Sequence, residues 1–536
     1  VGTAQLLSRW RAGLEPAQIV SGLLVGLLAG VAALVVTNEL KYLIVLLLGW
    51  MVALVFVLSG NFRLACLCSL LALAPLRLGK AFHVIPHMGG AAGFWIDGID
   101  LLLAVLLWFQ WRDRRTGRFG SMLFHAAMWM WVGMIALGLL SVLIPPYRMV
   151  ALHEVVRMVK LLVLAIVVFN EVRRPRQIQL AFVILMGGVL LNSLLAIAQW
   201  ALKRDFGLEF LGEANRAGSD AIGQVTLLTR DFVYRPGGLM GAGNLFAAYL
   251  AMLVPMAVAV FLAGVRPWLR LLSAAVLITS LPALVLTLSR SGWLAFAVGF
   301  VVVLVLGMWH PISRRRFFVA RAAAVGGVAL LGLAMSPVIL QRLTSSDPNA
   351  VKVRVEWLET AWKMIEDKPV LGIGLNKYVF TQTSYGPETT PEEMNARYGE
   401  LWPVVHSTWA VTWAEQGTVG MLLFVLMHLI LLREGWQNLR IRDPLVHAVA
   451  VGLLAGLVAI MVDGAASFFL RMEQHSRVFW VAVPLLLACA QWRRHEAAAA
   501  ELAAEAAPPP AAPGGWLPPR GRPLGGSPGP LHGWLR

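Results

Sequence analysis

Apolar runs of about 17 to 25 residues recur along this chain, and each is roughly the length a helix needs to carry its backbone across about 30 Å of hydrocarbon. They lie near 17–36, 41–59, 62–79, 93–111, 121–144, 155–169, 178–200, 243–264, 270–288, 292–309, 318–340, 406–432, 446–463 and 477–491. Strand-like alternation is absent from them, so helices rather than a barrel must satisfy the backbone in lipid. The predicted fold class is all-α, a polytopic membrane protein of roughly 12–14 transmembrane helices. Composition agrees, since 58% of the 536 residues are hydrophobic and only 14% are charged.

The spans divide the chain into N-terminal helices (1–200), an outer loop (201–242), central helices (243–340), a second outer loop (341–405), C-terminal helices (406–495) and a tail (496–536). With Arg9 and Arg11 placed in the cytoplasm, every second short loop should be basic. Six are: "RDRRTGR" at 112, "RRPR" at 173, "RPWLR" at 266, "SRRR" at 313, "REGWQNLRIR" at 433 and "RR" at 493. Both long loops then face outward. Their exposure on a packed scaffold marks them as the functional side.

A formal charge of +16 would suggest nucleic acid in a soluble chain. Here the basic residues sit between spans, so membrane lipids are the expected neighbours and no nucleic-acid partner is expected. Ala17 to Val36 is long enough to span and no small-residue cleavage site follows it, so no cleavable signal is expected. Cys66, Cys68 and Cys489 lie within apolar runs at no metal or redox spacing. The tail is rich in Ala, Pro and Gly and is expected to be disordered.

In the second outer loop, "RVEWLETAWKMIEDKP" places Val355, Leu358, Trp362 and Ile365 at helical spacing, with Glu356, Glu359, Lys363 and Glu366 on the other faces. An amphipathic helix lying over the membrane domain is expected. Beyond it, "HSTWAVTWAEQGTVG" opens a span with His406 and Ser407. On a continuous helix Gly417 and Gly420 extend the His406 face into the bundle and admit a neighbouring helix, while Glu415 projects from the opposite side.

The same topology brings cations to the same face. Arg290 sits in the "SRS" turn between two spans, Arg235 in "YRPGGLMGAGN" just before another, and Arg157 and Lys160 three apart near the outer end of theirs. For any one of them, snorkelling to the head groups is the competing explanation. Taken together, with few obvious acids, they suit a diphosphate, because guanidinium forks match phosphate oxygens in two-point contact. No Asp-x-Asp or acid cluster suited to a divalent metal marks the outer face.

Four stretches, "RPGGLMGAGNLFAAYL", "LTLSRSGWLA", "WLETAWKMIEDKPVLGIGLNKY" and "HSTWAVTWAEQGTVG", together resemble the O-antigen ligase and O-antigen polymerase superfamily of bacterial membrane glycosyltransferases. The resemblance implies a multi-helix fold with a large periplasmic loop, which together with the basic-loop pattern gives an expected inner-membrane protein with cytoplasmic termini and an active site facing the periplasm. It implies transfer of a glycan from an undecaprenyl-diphosphate carrier to an acceptor hydroxyl, with neither metal nor cofactor.

On that reading His406 is the general base, and Arg235 and Arg290 stabilise the leaving diphosphate with support from Arg157 and Lys160. Ser407 orients the substrate and Glu415 holds neighbouring helices together. Attack opposite the leaving group inverts the anomeric centre. The acceptor is a lipid A core for a ligase, the favoured reading, or a second carrier-linked glycan for a polymerase. The competing class is a small-anion transporter such as a bicarbonate carrier, which should show acids near the membrane midplane. Asp97, Asp100 and Asp463 instead lie near segment ends.

Overall fold

The computed structural model describes residues 61–117, 123–214, 224–226, 232–307, 322, 325–330, 332–344, 348–388, 390–399 and 402–505. The expected spans at 17–36 and 41–59 lie outside them. The helices are α1 (Phe62–Leu73), α2 (Gly98–Arg115), α3 (Ala126–Leu143), α4 (Arg148–Glu171), α5 (Pro175–Leu202), α6 (Gly243–Leu262), α7 (Pro267–Leu286) and α8 (Arg290–Leu306). They continue with α9 (Ser336–Thr344), α10 (Pro348–Asp367), α11 (Tyr378–Thr381), α12 (Pro391–Tyr398), α13 (Thr408–Gln437), α14 (Pro444–Asp463) and α15 (Glu473–Glu505). The protein is an all-α multi-pass membrane protein.

Among the described residues six helices, α3, α5, α6, α7, α13 with its short extension, and α14, are long and apolar enough to cross a membrane. A bent pair, Val325–Ala334 with Ser336–Thr344, makes a seventh if counted as one span. The expected span at 62–79 is not one helix. The 12 residues of α1 rise only about 18 Å, and the chain then turns into a hairpin of β1 (Gly79–Phe82) against antiparallel β2 (Phe94–Asp97). Pro75, Pro86 and the glycines between 79 and 93 stop the helix there. Asp97 restarts it as the N-cap of α2, in a capping box with Asp100.

Other helix starts are equally local. Proline occupies the first turn of α5, α7 and α14, while Ser289 and Ser407 cap α8 and α13 by accepting from Gly292 N and Ala410 N. The tail departs from expectation, because α15 runs on to Glu505 through "EAAAAELAAE", whose Ala and Glu are strong helix formers. Residues 495–536 form a unit by themselves.

The core centres on α6, buried along almost its whole length. Small residues let α14 reach it: a Cβ on Gly452 would stand 2.2 Å from Met256 Cα, and one on Gly456 2.0 Å from Met252 O. This four-residue glycine spacing lets two backbones touch, which in lipid is a main source of helix association.

Side-chain bonds tie one set of helix ends together. Lys377 Nζ reaches Ile144 O after α3 (2.6 Å), Asn376 Nδ2 reaches Val150 O in α4 (3.0 Å), and Gln199 Oε1 in α5 accepts from Gly238 N (2.9 Å). Arg477 in α15 reaches Asp97 Oδ2 at 2.8 Å. The candidate site lies at this end.

The amphipathic helix forms as α10, with a different inner face from the one expected. Trp357, Ala361, Met364 and Ile365 pack inward against Val411, Ala414 and Phe468, whereas Val355, Leu358 and Trp362 are exposed.

Candidate active site

His406 does not stand on the helix that follows it. It ends an extended segment, with Ser407 as the N-cap of α13. The imidazole stacks on Trp357 of α10 (centroids 4.9 Å, planes 14° apart) and meets the edge of Phe468 at 4.9 Å. Its Nδ1 lies 3.2 Å from Val404 O, which fixes that nitrogen as the N–H donor and leaves Nε2 as the basic one. Burial holds this imidazole well below its ordinary value, down to about 4, and Arg354 of α10 pushes in the same direction. It is therefore neutral at physiological pH.

The expected cations separate into two sets. Arg235 donates from Nε to Thr287 O at 2.7 Å, three residues before Arg290, which is exposed at the first position of α8. Arg342, which the sequence reading did not single out, donates from Nε to Leu288 O at 3.1 Å. Three arginines thus share one turn, where the α8 N-terminus is already positive.

Arg157 and Lys160 differ from the expectation of cations short of acids. Arg157 is buried against Glu154, with Nε to Oε2 at 3.0 Å, and also reaches Ser476 Oγ at 2.9 Å. Lys160 bonds Asp100 Oδ2 and Trp95 O, both at 2.8 Å. These carboxylates meet the charges within the fold.

The turn after α14 joins the arginine turn to the histidine. Asp463, 1% exposed, has Ser291 and Ser467 as its polar neighbours, and neither of its oxygens completes a hydrogen bond. Ser291 follows Arg290. From the other side, Thr408 N reaches Gly464 O (2.8 Å) and Ser467 O (2.9 Å), and Ser407 Oγ reaches Gly464 O at 3.3 Å. Ser407 is thus occupied with backbone.

Gly417 corrects the expected continuous helix. It breaks α13 at φ 64°, ψ −169°, a conformation essentially reserved for glycine. The break exchanges partners: Ile373 N and Gly374 N donate to Ala414 O and Glu415 O at 2.9 Å, while Thr418 N and Val419 N donate to Pro369 O (2.8 Å) and Val370 O (3.3 Å). Backbone from "PVLGIG" fills the missing turn. A Cβ on Gly417 would stand 2.2 Å from Val370 O, and the Gly420 Cα faces its own Gln416 rather than another helix. Gly417→Ala is expected to cost about 1–3 kcal/mol, read as a lowered thermal midpoint in nanodiscs. An unchanged midpoint removes this account of the glycine.

Glu415 ties that segment down. It accepts from Asn376 N at 2.7 Å and Tyr378 N at 3.2 Å, and it pairs with Arg471, which also donates to Gly89 O at 2.9 Å.

Residues 274–425 match the family model described as O-antigen ligase. Over this stretch the chain is similar to that family. The match takes in Arg290, Arg342, α10, His406, Glu415, Gly417 and Gly420, and leaves out Arg157, Lys160 and Arg235. The family carries glycosyltransferase-type activity in O-antigen pathways. A chain from a solved structure, titled as structural coordination of polymerization and crosslinking by a peptidoglycan synthase complex, aligns at 16% identity over 68% of this chain and 97% of that one, with a TM-score of 0.34. None of the curated proteins matches.

Proposed function

We propose that the chain transfers a glycan from an undecaprenyl-diphosphate carrier to an acceptor hydroxyl on the periplasmic side of the inner membrane. His406 is the base. The observation that carries this reading is the neutral imidazole, with Nδ1 occupied and Nε2 available, joined through the Asp463 turn to a turn crowded with arginines.

In the reaction the acceptor oxygen attacks the anomeric carbon as its proton passes to His406 Nε2. The bond to the carrier oxygen breaks with its electron pair, giving undecaprenyl diphosphate and an inverted glycosidic bond. Arg290, Arg235 and Arg342 meet the charge that develops on the leaving diphosphate. A cation at the N-terminus of α8 is unfavourable by itself and becomes favourable once an anion lies there. Arg157 and Lys160, paired with Glu154 and Asp100, position helices instead of binding phosphate.

The acceptor we favour is a lipid A core, which makes the enzyme an O-antigen ligase. Purified carrier-linked glycan decides the matter. A ligase leaves it unchanged until lipid A core is added, whereas a polymerase lengthens it unaided.

The base assignment predicts a pH profile. Only the neutral imidazole accepts a proton, so kcat/KM should stay level from about pH 8 to 5 and fall as pH drops through about 4. Arg354→Gln removes a cation that disfavours the imidazolium, so its acid limb should move to higher pH. An identical limb in that variant, or a wild-type limb near the ordinary histidine value, overturns the assignment.

A further inference from the structure

Val351, Val355, Leu358 and Trp362 recur at intervals of four, three and four along α10 and are between 48% and 54% exposed. They form one stripe, roughly 100° around the helix from the face that Trp357 and Ala361 press onto His406 and α13. On α13, Val419, Leu422, Leu426 and Leu429 form a second exposed stripe at the same kind of spacing. That stripe belongs to a candidate membrane span, where exposed apolar side chains face lipid.

The two stripes meet. Contacts between the elements advance together, Trp357 with His406, Trp362 with Trp413 (5.9 Å, edge to face), then Pro369 O with Thr418 N and Val370 O with Val419 N. The second half of α10 therefore lies level with the first turns of α13, and Val370 (61% exposed) and Leu371 (49%) carry the apolar surface from one stripe to the other. The indole N–H groups of Trp362 and Trp413 are taken by Glu366 Oε1 (2.7 Å) and Thr418 Oγ1 (3.2 Å). Amphipathic rings of this kind favour the head-group boundary.

We infer that α10 is a membrane-interface helix whose apolar stripe, extended by Val370 and Leu371, is seated in the outer boundary of the bilayer. An apolar surface this continuous is costly to leave in water, and the bilayer already reaches its edge at Val419. The helix that stacks Trp357 on His406 is thus held by lipid on one side and by α13 on another. The inference stands independently of the role of His406.

The test places a nitroxide at Leu358→Cys, Val370→Cys or Glu359→Cys in the full chain in nanodiscs, with the signal of the parent protein, whose three cysteines are buried, subtracted. Collision with oxygen is compared with collision with a water-soluble nickel chelate. The oxygen-to-nickel ratio should be several-fold higher at Leu358 and Val370 than at Glu359. Equal ratios at the three positions overturn the inference by showing the stripe in water. Low accessibility to both reagents, with dipolar coupling between labels, overturns it in favour of a second copy of the chain.

Discussion

His406→Ala is expected to lower glycan transfer by about 10²- to 10⁴-fold, with carrier-linked donor still bound. The loss follows from the tautomer: with Nδ1–H directed at Val404 O, Nε2 is the nitrogen able to take the acceptor's proton, and alanine supplies none. Because the ring also fills the space between Trp357 and Phe468, His406→Gln is the necessary companion. It keeps a polar side chain there while lacking a basic nitrogen. Both variants should fail in single-turnover transfer and both should retain donor affinity, since the arginine turn is intact. Near-normal turnover in either one would falsify the base assignment. Loss of donor binding in both would instead make the histidine part of the diphosphate site.

The spans that are apolar all along were legible because a helix enclosed by lipid or by other apolar helices is apolar on every face, and α5, α6, α7 and α14 stand close to where the sequence put them. Hydropathy is blind to backbone angles. Nothing in "AEQGTVG" distinguishes a glycine that lets a helix pack from one that interrupts it, since the difference lies in a partner segment some 45 residues earlier in the chain. The pairing of Arg157 was visible in principle, because Glu154 stands three residues before it, a spacing that puts both on one helix face. Lys160 gave no such sign, for Asp100 comes from another helix.

Arg477, at the mouth of an apolar run, reads as one more interfacial cation, and Arg471 and Arg342 carry no sequence signal because they fall in short helices without a strong apolar period. There a side chain's direction is set by tertiary contacts. The inner face of α10 was misread for a related reason. Membrane loops have two apolar neighbours, protein and lipid, and periodicity alone does not say which stripe meets which.

Glu415→Ala should destabilise the fold by about 3–5 kcal/mol, the range for breaking a buried ion pair by removing one partner. The carboxylate is 1% exposed and Arg471 8%, so the guanidinium cannot turn to water when its partner goes. Glu154 stands 3.6 Å from Arg471 Nη1 but is already engaged by Arg157 and Ala91 N, and it recovers only part of the loss. The Asn376 and Tyr378 N–H groups lose their acceptor too, which frees the backbone that fills the break at Gly417. Proteolytic cleavage between residues 369 and 378 should therefore rise together with the fall in thermal midpoint. Arg471→Met combined with Glu415→Ala separates the causes, because it removes the stranded charge and leaves the N–H groups unmet. If charge dominates, the double variant is more stable than Glu415→Ala alone. If it is as unstable, the anchoring of the 372–378 segment accounts for the effect, and Arg471 is not what makes Glu415 indispensable.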